Sequence, residues 1–401
     1  MKDLLERAKE INDFIVDHRR YLHENPELGM ELPNTVNYVC GQLEEMGYQP
    51  EILGSSVVAT IGKEGKTFLI RGDMDALPIT EETGLDFASN RAGVMHACGH
   101  DTHTAMLLGA AKLLKENESN LKGRVKLFFQ AGEEILEGAK EAIELGLLDN
   151  PKVDAAMMIH ILSNTPTKEG SILLPTDGGA FSSADWFRVD IRGKGGHGAS
   201  PQNAKSPIDA LCAINSGMHE IISSAIPPEE TAVMSVGEIS AGQEGSGNVI
   251  PDTGHLSGTI RTFNEEVRGT IKSRLESLVD YTSKSRDVEG KLTYGHTAPV
   301  AENNAELKAF SIDVLTDLLG EEYVVDLSVA LGGMFKRVSG SEDFSYVSRE
   351  VPSTFLMLAA GTPDDGYAYP GHNPKTDFNE SVFYVGAASY AALAMAWLEN
   401  N

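Results

Sequence analysis

A chain of 401 residues is too long for one ordinary hydrophobic core, so about two domains are expected. Its formal net charge of −26 argues against nucleic acid as a partner, because nothing would neutralise phosphates at sufficient density; acidity otherwise means solubility. Forty glycines and an apolar fraction of 41% favour a globular α/β protein over a fibrous or disordered one. No apolar run is seen to approach the roughly 20 residues of a membrane span, and the opening MetLysAspLeuLeuGluArg lacks a signal peptide's apolar core. A soluble cytoplasmic protein with no membrane partner is expected. Cys40, Cys98 and Cys212, odd in number and far apart, do not form a disulfide framework, which fits a reducing compartment.

Periodicity predicts a helix from Leu4 to His23 and another from Asn34 to Met46, then β-branched strands at Val57 to Ile61 and Phe68 to Ile70. Helix Thr102 to Lys115, strand Val125 to Phe129, helix Leu136 to Leu145 and strand Ala155 to Ile159 continue the rhythm. Such alternation implies a largely parallel sheet covered by helices. Asp73 and Asp75 follow the strand at 68–70, the pair Glu133 and Glu134 follows 125–129, and His160 ends 155–159. In an open α/β sheet ligands collect at the carboxyl ends of the strands, so three segments converge on one edge.

From Trp186 the order becomes strand (187–191), helix (208–222), strand (231–239), strand (255–261), helix (265–283) and strand (291–296), the β-α-β-β-α-β order of a ferredoxin-like unit. Val267, Ile271, Leu275, Leu278 and Val279 share one face of its second helix. After Pro299 helices and strands resume, ending in an Ala-rich helix from Val382 to Glu399. The expected fold is therefore α/β. A discontinuous domain with a mostly parallel sheet, residues 1–185 and 297–401, is interrupted by an inserted ferredoxin-like α+β domain, residues 186–296.

The chemistry concentrates at MetHisAlaCysGlyHisAspThrHis (95–103). One glycine separates Cys98 from His100 and lets the backbone bend so that both face one ion. A Cys-x-His pair alone is a weak signal, since a buried structural cysteine beside an unrelated histidine is commoner; Asp101 and His103 in the same nine positions strengthen it. Of the adjacent Glu133 and Glu134, one can bind metal while the other carries a proton, although by itself the pair reads as an acidic turn entering a helix. Asp73 and Asp75 could bind metal or orient a ligating histidine. His160 taken singly reads as a core histidine, whereas His372, in the turn-rich TyrProGlyHisAsnPro, is the better ligand candidate. Thiol, imidazole and carboxylate together suit a pair of borderline transition-metal ions.

Eight segments in order, ArgArgTyrLeuHisGluAsnProGluLeu (19–28), ArgGlyAspMetAspAlaLeuPro (71–78), HisAlaCysGlyHisAspThrHis (96–103), GlnAlaGlyGluGlu (130–134), GlyGlyHisGlyAlaSerPro (195–201), AsnValIlePro (248–251), SerGluAspPhe (341–344) and GlyHisAsn (371–373), resemble metallopeptidase family 20, subfamily D. That group holds N-acyl-amino-acid amidohydrolases, hippurate hydrolases and auxin-conjugate hydrolases. The resemblance implies two divalent ions, manganese or zinc with cobalt or nickel as alternatives, held by Cys98, His100, Glu134, His160 and His372. It implies Glu133 as general base and acid, with Cys98 where relatives outside the subfamily use a bridging aspartate. It also implies that the inserted domain is a lid mediating homodimerisation, with His197 reaching an active site and Asn248 and Arg261 holding polar groups of the substrate. Read locally, the Gly-rich stretch around His197 could be only a flexible turn, and Arg261 could make a structural ion pair, though its planar fork suits a substrate carboxylate.

The expected reaction is hydrolysis of the amide bond of an N-acyl amino acid by a water activated between two metals roughly 3.5–4 Å apart. Glu133 would relay the proton to the departing amine. The rivals, in order, are an aminopeptidase or dipeptidase, a cysteine hydrolase using Cys98, and a non-catalytic metal-dependent binding protein.

Overall fold

The computed structural model describes residues 2–330 and 336–401 and divides the chain into two compact units, one of residues 1–180, 301–338 and 343–401, the other of residues 181–300 with 339–342. The larger is built on an eight-stranded sheet. In spatial order its strands are Glu51–Leu53, Ser56–Gly62, Arg124–Gln130, Thr67–Asp73, Ala155–Leu162, Ser353–Ala359, Ile172–Leu174 and Val324–Asp326. The four central strands, from Arg124–Gln130 to Ser353–Ala359, run parallel. Antiparallel pairs lie outside them. Thr67–Asp73 and Ser353–Ala359 are buried at every position, as continuous apolar strands covered on both faces must be.

Helix His100–Glu116 is buried along almost its whole length and packs against the C-terminal helix Phe383–Asn400. The contact is close because the facing residues are small: a methyl group added at Gly109 would meet Ile15 and Ala387, and one at Gly386 would meet Met106. The segment Glu380–Asn400 is long and apolar enough to cross a bilayer by length and composition, which corrects the expectation that no such run exists. Here 72% of that window is buried inside the protein, the place of a helix that is apolar all round.

The element boundaries also differ from expectation in informative ways. The first predicted helix is two, Lys2–Glu10 and Asn12–Glu24, with a turn at Ile11. Strand Ala155–Leu162 runs past Ile159, so His160 lies within it and not at its end. The helix expected from Leu136 begins at Gly138, because Leu136 adopts a left-handed φ of 58° and its N–H closes a turn onto Glu133.

The second unit contains a four-stranded antiparallel sheet in the order Ala232–Ala241, Thr253–Thr262, Ala184–Arg192, Glu289–Ala298, with helices Pro207–Ala225 and Glu265–Ser285. This is the strand order of a ferredoxin-like fold. Phe187, Val189, Ile191, Leu211, Ile214, Ile271 and Leu275 form its core. Asn264 caps the second helix by accepting from the N–H groups of Glu266 and Val267, a local stop that a preceding strand and an Asn can encode. Residues 339–342 join this unit because Ser182 donates from its backbone to Gly340 and from its hydroxyl to the Ser339 carbonyl.

Strands Thr67–Asp73 and Ala155–Leu162 are paired only from Phe68 opposite Ala155 to Arg71 opposite Met158. Beyond that point the Tyr390 hydroxyl takes over, accepting from the Ile159 N–H at 3.1 Å and donating to the Arg71 carbonyl at 3.0 Å. Tyr390→Phe should therefore leave buried backbone groups short of partners and cost about 1–3 kcal/mol, read as a lower urea midpoint; an unchanged midpoint would show that the hydroxyl is dispensable.

Candidate metal centre

The site forms where the parallel strands end. Asp73 is the last residue of its strand, Glu133 and Glu134 lie in the turn after Gln130, and His160 projects from Ala155–Leu162. Cys98 and His100 flank Gly99, whose φ of +87° precedes helix His100–Glu116. A side chain at Gly99 would be strained in that backbone region, and its Cβ would lie 2.5 Å from Ile161 Cγ2 and 2.9 Å from Phe378. Only glycine lets the thiol and the imidazole turn to one side.

Ligand atoms of Cys98, His100 and His160 lie within 4.8 Å of one another, as do those of Cys98, Glu134 and His372, and those of His100, Glu133 and Glu134. All five residues named as ligands from the sequence, together with Glu133, thus share one small volume. His160 Nδ1 lies 2.7 Å from the Ile161 carbonyl and must donate to it, so Nε2, 3.5 Å from Cys98 Sγ, carries the lone pair. His372 adopts a left-handed φ of 65°, with its N–H donated to the Ala97 carbonyl at 2.7 Å and its Nε2 3.6 Å from Glu134 Oε1.

Asp75 holds the turn in place. Its two oxygens accept from the backbone N–H groups of Glu133 and Glu134, each at 3.0 Å, and Oδ1 lies 3.4 Å from His100 Nδ1. Asp73 accepts from His103 at Oδ1, and its Oδ2 forms an ion pair with Arg71 Nη1 at 2.6 Å. Ligand atoms of Asp73, His100 and His103 also lie within 4.8 Å of one another. His103 also has both nitrogens engaged: Nε2 accepts from the Ile161 N–H at 2.8 Å, leaving Nδ1–H for Asp73. Asp101 is buried against Arg19 and His23. His103 and Asp101 thus belong to helix His100–Glu116 and not to a loop, a distinction their sequence spacing hides.

The donor set suits a divalent cation. His100 Nδ1 and Nε2 and Glu134 Oε1 are buried without a hydrogen-bond partner, a costly condition unless a ligand completes them. Despite the cost of its burial, Asp73 and Cys98 hold His100 well above the usual histidine range, so positive charge is favoured there. Burial, reinforced by Asp75 and Asp73, raises Glu134 to about 7. Burial and then Glu134 push the Cys98 thiol well above its ordinary range, the opposite of what a free cysteine nucleophile needs, which counts against a cysteine hydrolase. Mixed thiolate, imidazole and carboxylate donors fit zinc, manganese and their neighbours.

Residues 69–396 match the model of peptidase family M20/M25/M40. The chain belongs to that family. It is 35% identical over 405 residues to thermostable carboxypeptidase 1 of Saccharolobus solfataricus, covering 98% of each chain. It is also 35% identical to an N-acetyl-L-cysteine deacetylase of Bacillus subtilis, covering 96% of this chain and 89% of that one. Among solved structures it resembles a Bacillus subtilis protein described as a dinuclear metal-binding peptidase of the M20 family, at 30% identity and a TM-score of 0.81, covering 98% and 99%.

In the second unit, His197 and Asn248 lie together: Val249 pairs with His197, and the Gly198 N–H donates to the Asn248 carbonyl at 2.8 Å. Both side chains are exposed. Arg261 Nη1 lies 3.4 Å from both the Ser339 carbonyl and Ser341 Oγ. No carboxylate partner of Arg261 is found among the described residues, and its half-burial lowers its pKa without compensation, which leaves the structural ion pair without support. The residue that sequence reasoning left undecided and the structure makes central is Asp75; the signal was its place two residues beyond Asp73 in ArgGlyAspMetAsp.

Gly99→Ala is expected to fold with the Cys98–His100 turn displaced and to retain less manganese or zinc after gel filtration than wild type; equal metal content would show that the turn tolerates a side chain.

Proposed function

We propose that this chain is a metal-dependent amidohydrolase that cleaves the amide bond of N-acyl amino acids, releasing a carboxylic acid and a free amino acid. The observation that carries the reading is the pair Glu133–Glu134, fixed by Asp75 beside the cluster of Cys98, His100, His160 and His372. Cys98, His100, Glu134, His160 and His372 would hold two divalent ions, manganese or zinc, with cobalt or nickel as alternatives. When bound, such ions polarise a carbonyl and bring the pKa of water towards neutrality. Glu133, buried and adjacent to Glu134, takes the proton of the attacking water and passes it to the departing amine. His197 donates to the oxyanion as it develops, and Asn248 and Arg261 hold the substrate's polar groups.

The geometry of the second unit favours a homodimer. Arg261 stands near the end of strand Thr253–Thr262, whereas the His197–Asn248 pair adjoins its beginning, where Gly193 bonds to Asp252. At about 3.3 Å per residue, Asp252 and Arg261 are roughly 30 Å apart along this strand, more than a small substrate spans. The two roles then fall to different copies of the chain, the inserted unit acting as lid and dimerisation domain. Strand Ala232–Ala241 is an edge of its sheet and exposes Val233 and Ile239, a suitable surface for a second copy. Free thiols at Cys40, Cys98 and Cys212 fit a cytoplasmic location.

The Saccharolobus carboxypeptidase favours a second reading, release of a C-terminal residue from a peptide. Both readings need a free α-carboxylate on the departing amino acid, the group that Arg261 suits. An aminopeptidase would instead require a free substrate amine. Amino-acid release from N-acetyl, N-benzoyl and longer N-acyl amino acids, beside free dipeptides and blocked peptides, separates these classes; the proposal expects release from blocked substrates, abolished by chelator. Activity indifferent to chelator would sink it.

Glu133→Gln should retain metal and lose roughly 10²- to 10⁴-fold in kcat, measured with the best substrate of that panel; unchanged turnover removes Glu133 from the reaction. Arg261→Ala should weaken substrates with a free α-carboxylate by roughly 10- to 100-fold in kcat/KM, and equal losses on α-amidated substrates would contradict the clamp.

A further inference from the structure

The segment ArgArgTyrLeuHis at 19–23 has no part in the chemistry above, yet Arg19 is completely buried. Its guanidinium meets three carboxylates from two distant stretches of chain. Nε donates to Asp101 Oδ2 at 2.9 Å, Nη2 to Asp377 Oδ1 at 3.2 Å and Nη1 to Glu380 Oε1 at 3.1 Å. A buried guanidinium is retained only where such partners compensate its desolvation, and its planar fork fixes their relative positions in a way that an ammonium cannot.

Two of these partners, Asp101 and Asp377, adjoin segments that carry a candidate ligand. Asp101 follows His100 directly and accepts a second hydrogen bond from His23 Nδ1 at 2.8 Å. Asp377 lies five residues after His372, and its carbonyl accepts from Ser163 Oγ at 2.7 Å, just beyond the strand that bears His160. Phe378, the next residue, lines the space that excludes a side chain at Gly99. His23 extends the connection through Nε2 to Glu81 at 3.2 Å, and the neighbouring Glu82 N–H donates to the Pro374 carbonyl at 2.8 Å, two residues from His372.

We propose that Arg19 is a positioning residue that sets the spacing between the Cys98–His100 turn, the His160 strand and the His372 loop, and so tunes the affinity of the centre for its metal. This rests on the metal-dependent reading above. It assigns no chemical step to Arg19, which touches none of the candidate ligands.

The test is calorimetric titration of metal-free full-length protein with manganese, comparing wild type with Arg19→Lys and Asp377→Asn. Both variants are checked by circular dichroism to be folded at the temperature used. Arg19→Lys keeps the charge but loses the fork, and manganese binding should weaken by about 10- to 100-fold, as expected when a group that orients a ligand is lost. Asp377→Asn, at a partly exposed carboxylate, should weaken it in the same direction by a smaller factor, and carries the test if Arg19→Lys fails to fold. Excess manganese should restore kcat in both, with KM for an N-acyl amino acid unchanged. A role confined to stability would lower the melting temperature and leave manganese affinity as it was; that result in folded variants overturns the proposal. Wild-type protein that takes up none of manganese, zinc, cobalt or nickel in parallel titrations would overturn the metal-dependent reading as well, whereas tight wild-type binding beside unchanged variants overturns this inference alone.

Discussion

Where strands Thr67–Asp73 and Ala155–Leu162 diverge, the N–H groups of Ile159 and Ile161 lie past the last ladder pair, Arg71 with Met158, and buried donors left without acceptors would each cost about 1–3 kcal/mol. Tyr390 serves the first and His103 the second. That requirement fixes much else. His103 can accept only as the tautomer with hydrogen on Nδ1, which needs Asp73; Asp73 in turn is held below the ordinary carboxylate range by Arg71, His100 and His103 despite its burial. The gap between the strands is thus closed by a polar chain that ends beside His100, and the candidate centre inherits its rigidity from a problem in sheet hydrogen bonding.

The second organising force is excess negative charge. Asp73, Asp75, Glu133 and Glu134 surround His100, while the Arg71 guanidinium is bound to Asp73, Gln130 and Asp343. Arg19 is likewise consumed by its own three acids. The fixed cations Arg71 and Arg19 therefore brace the wall behind the ligand cluster. Proton and metal ion compete for the same oxygens and nitrogens, so binding in this centre is coupled to proton release.

Much of this was legible in the sequence. Alternating strand and helix patterns located the central parallel strands, and the polar residues just after them pointed to one edge, because strand direction alone places them there. Helix Glu265–Ser285 was equally readable, since Val267, Ile271, Leu275 and Val279 repeat at helical spacing and bury together. What stayed hidden depends on partners distant in sequence. Nothing near His103 reveals that Ile161 claims its Nε2, and nothing near Asp75 reveals that it accepts from Glu133 and Glu134. The short strands Glu51–Leu53, Ile172–Leu174 and Val324–Asp326 have too few residues for a periodic signal, and exist because neighbouring strands offer them an edge. The Ala-rich C-terminal helix was found where expected, at Phe383–Asn400; what its pattern could not tell is that it is enclosed on nearly every side, since alanine and leucine mark an enclosed helix as readily as a lipid-facing one.

The larger unit's discontinuity has a consequence for synthesis. Its strand Ser353–Ala359 occupies an interior place in the sheet, and the enclosing helix with Tyr390, Phe383–Asn400, comes later still in the sequence. On a ribosome, where domains tend to fold as their sequences emerge, the inserted unit has nearly all its residues by position 300. The surrounding sheet cannot close until strand Ser353–Ala359 has been made, so the half-made larger unit must keep its apolar strands from straying while the insert matures.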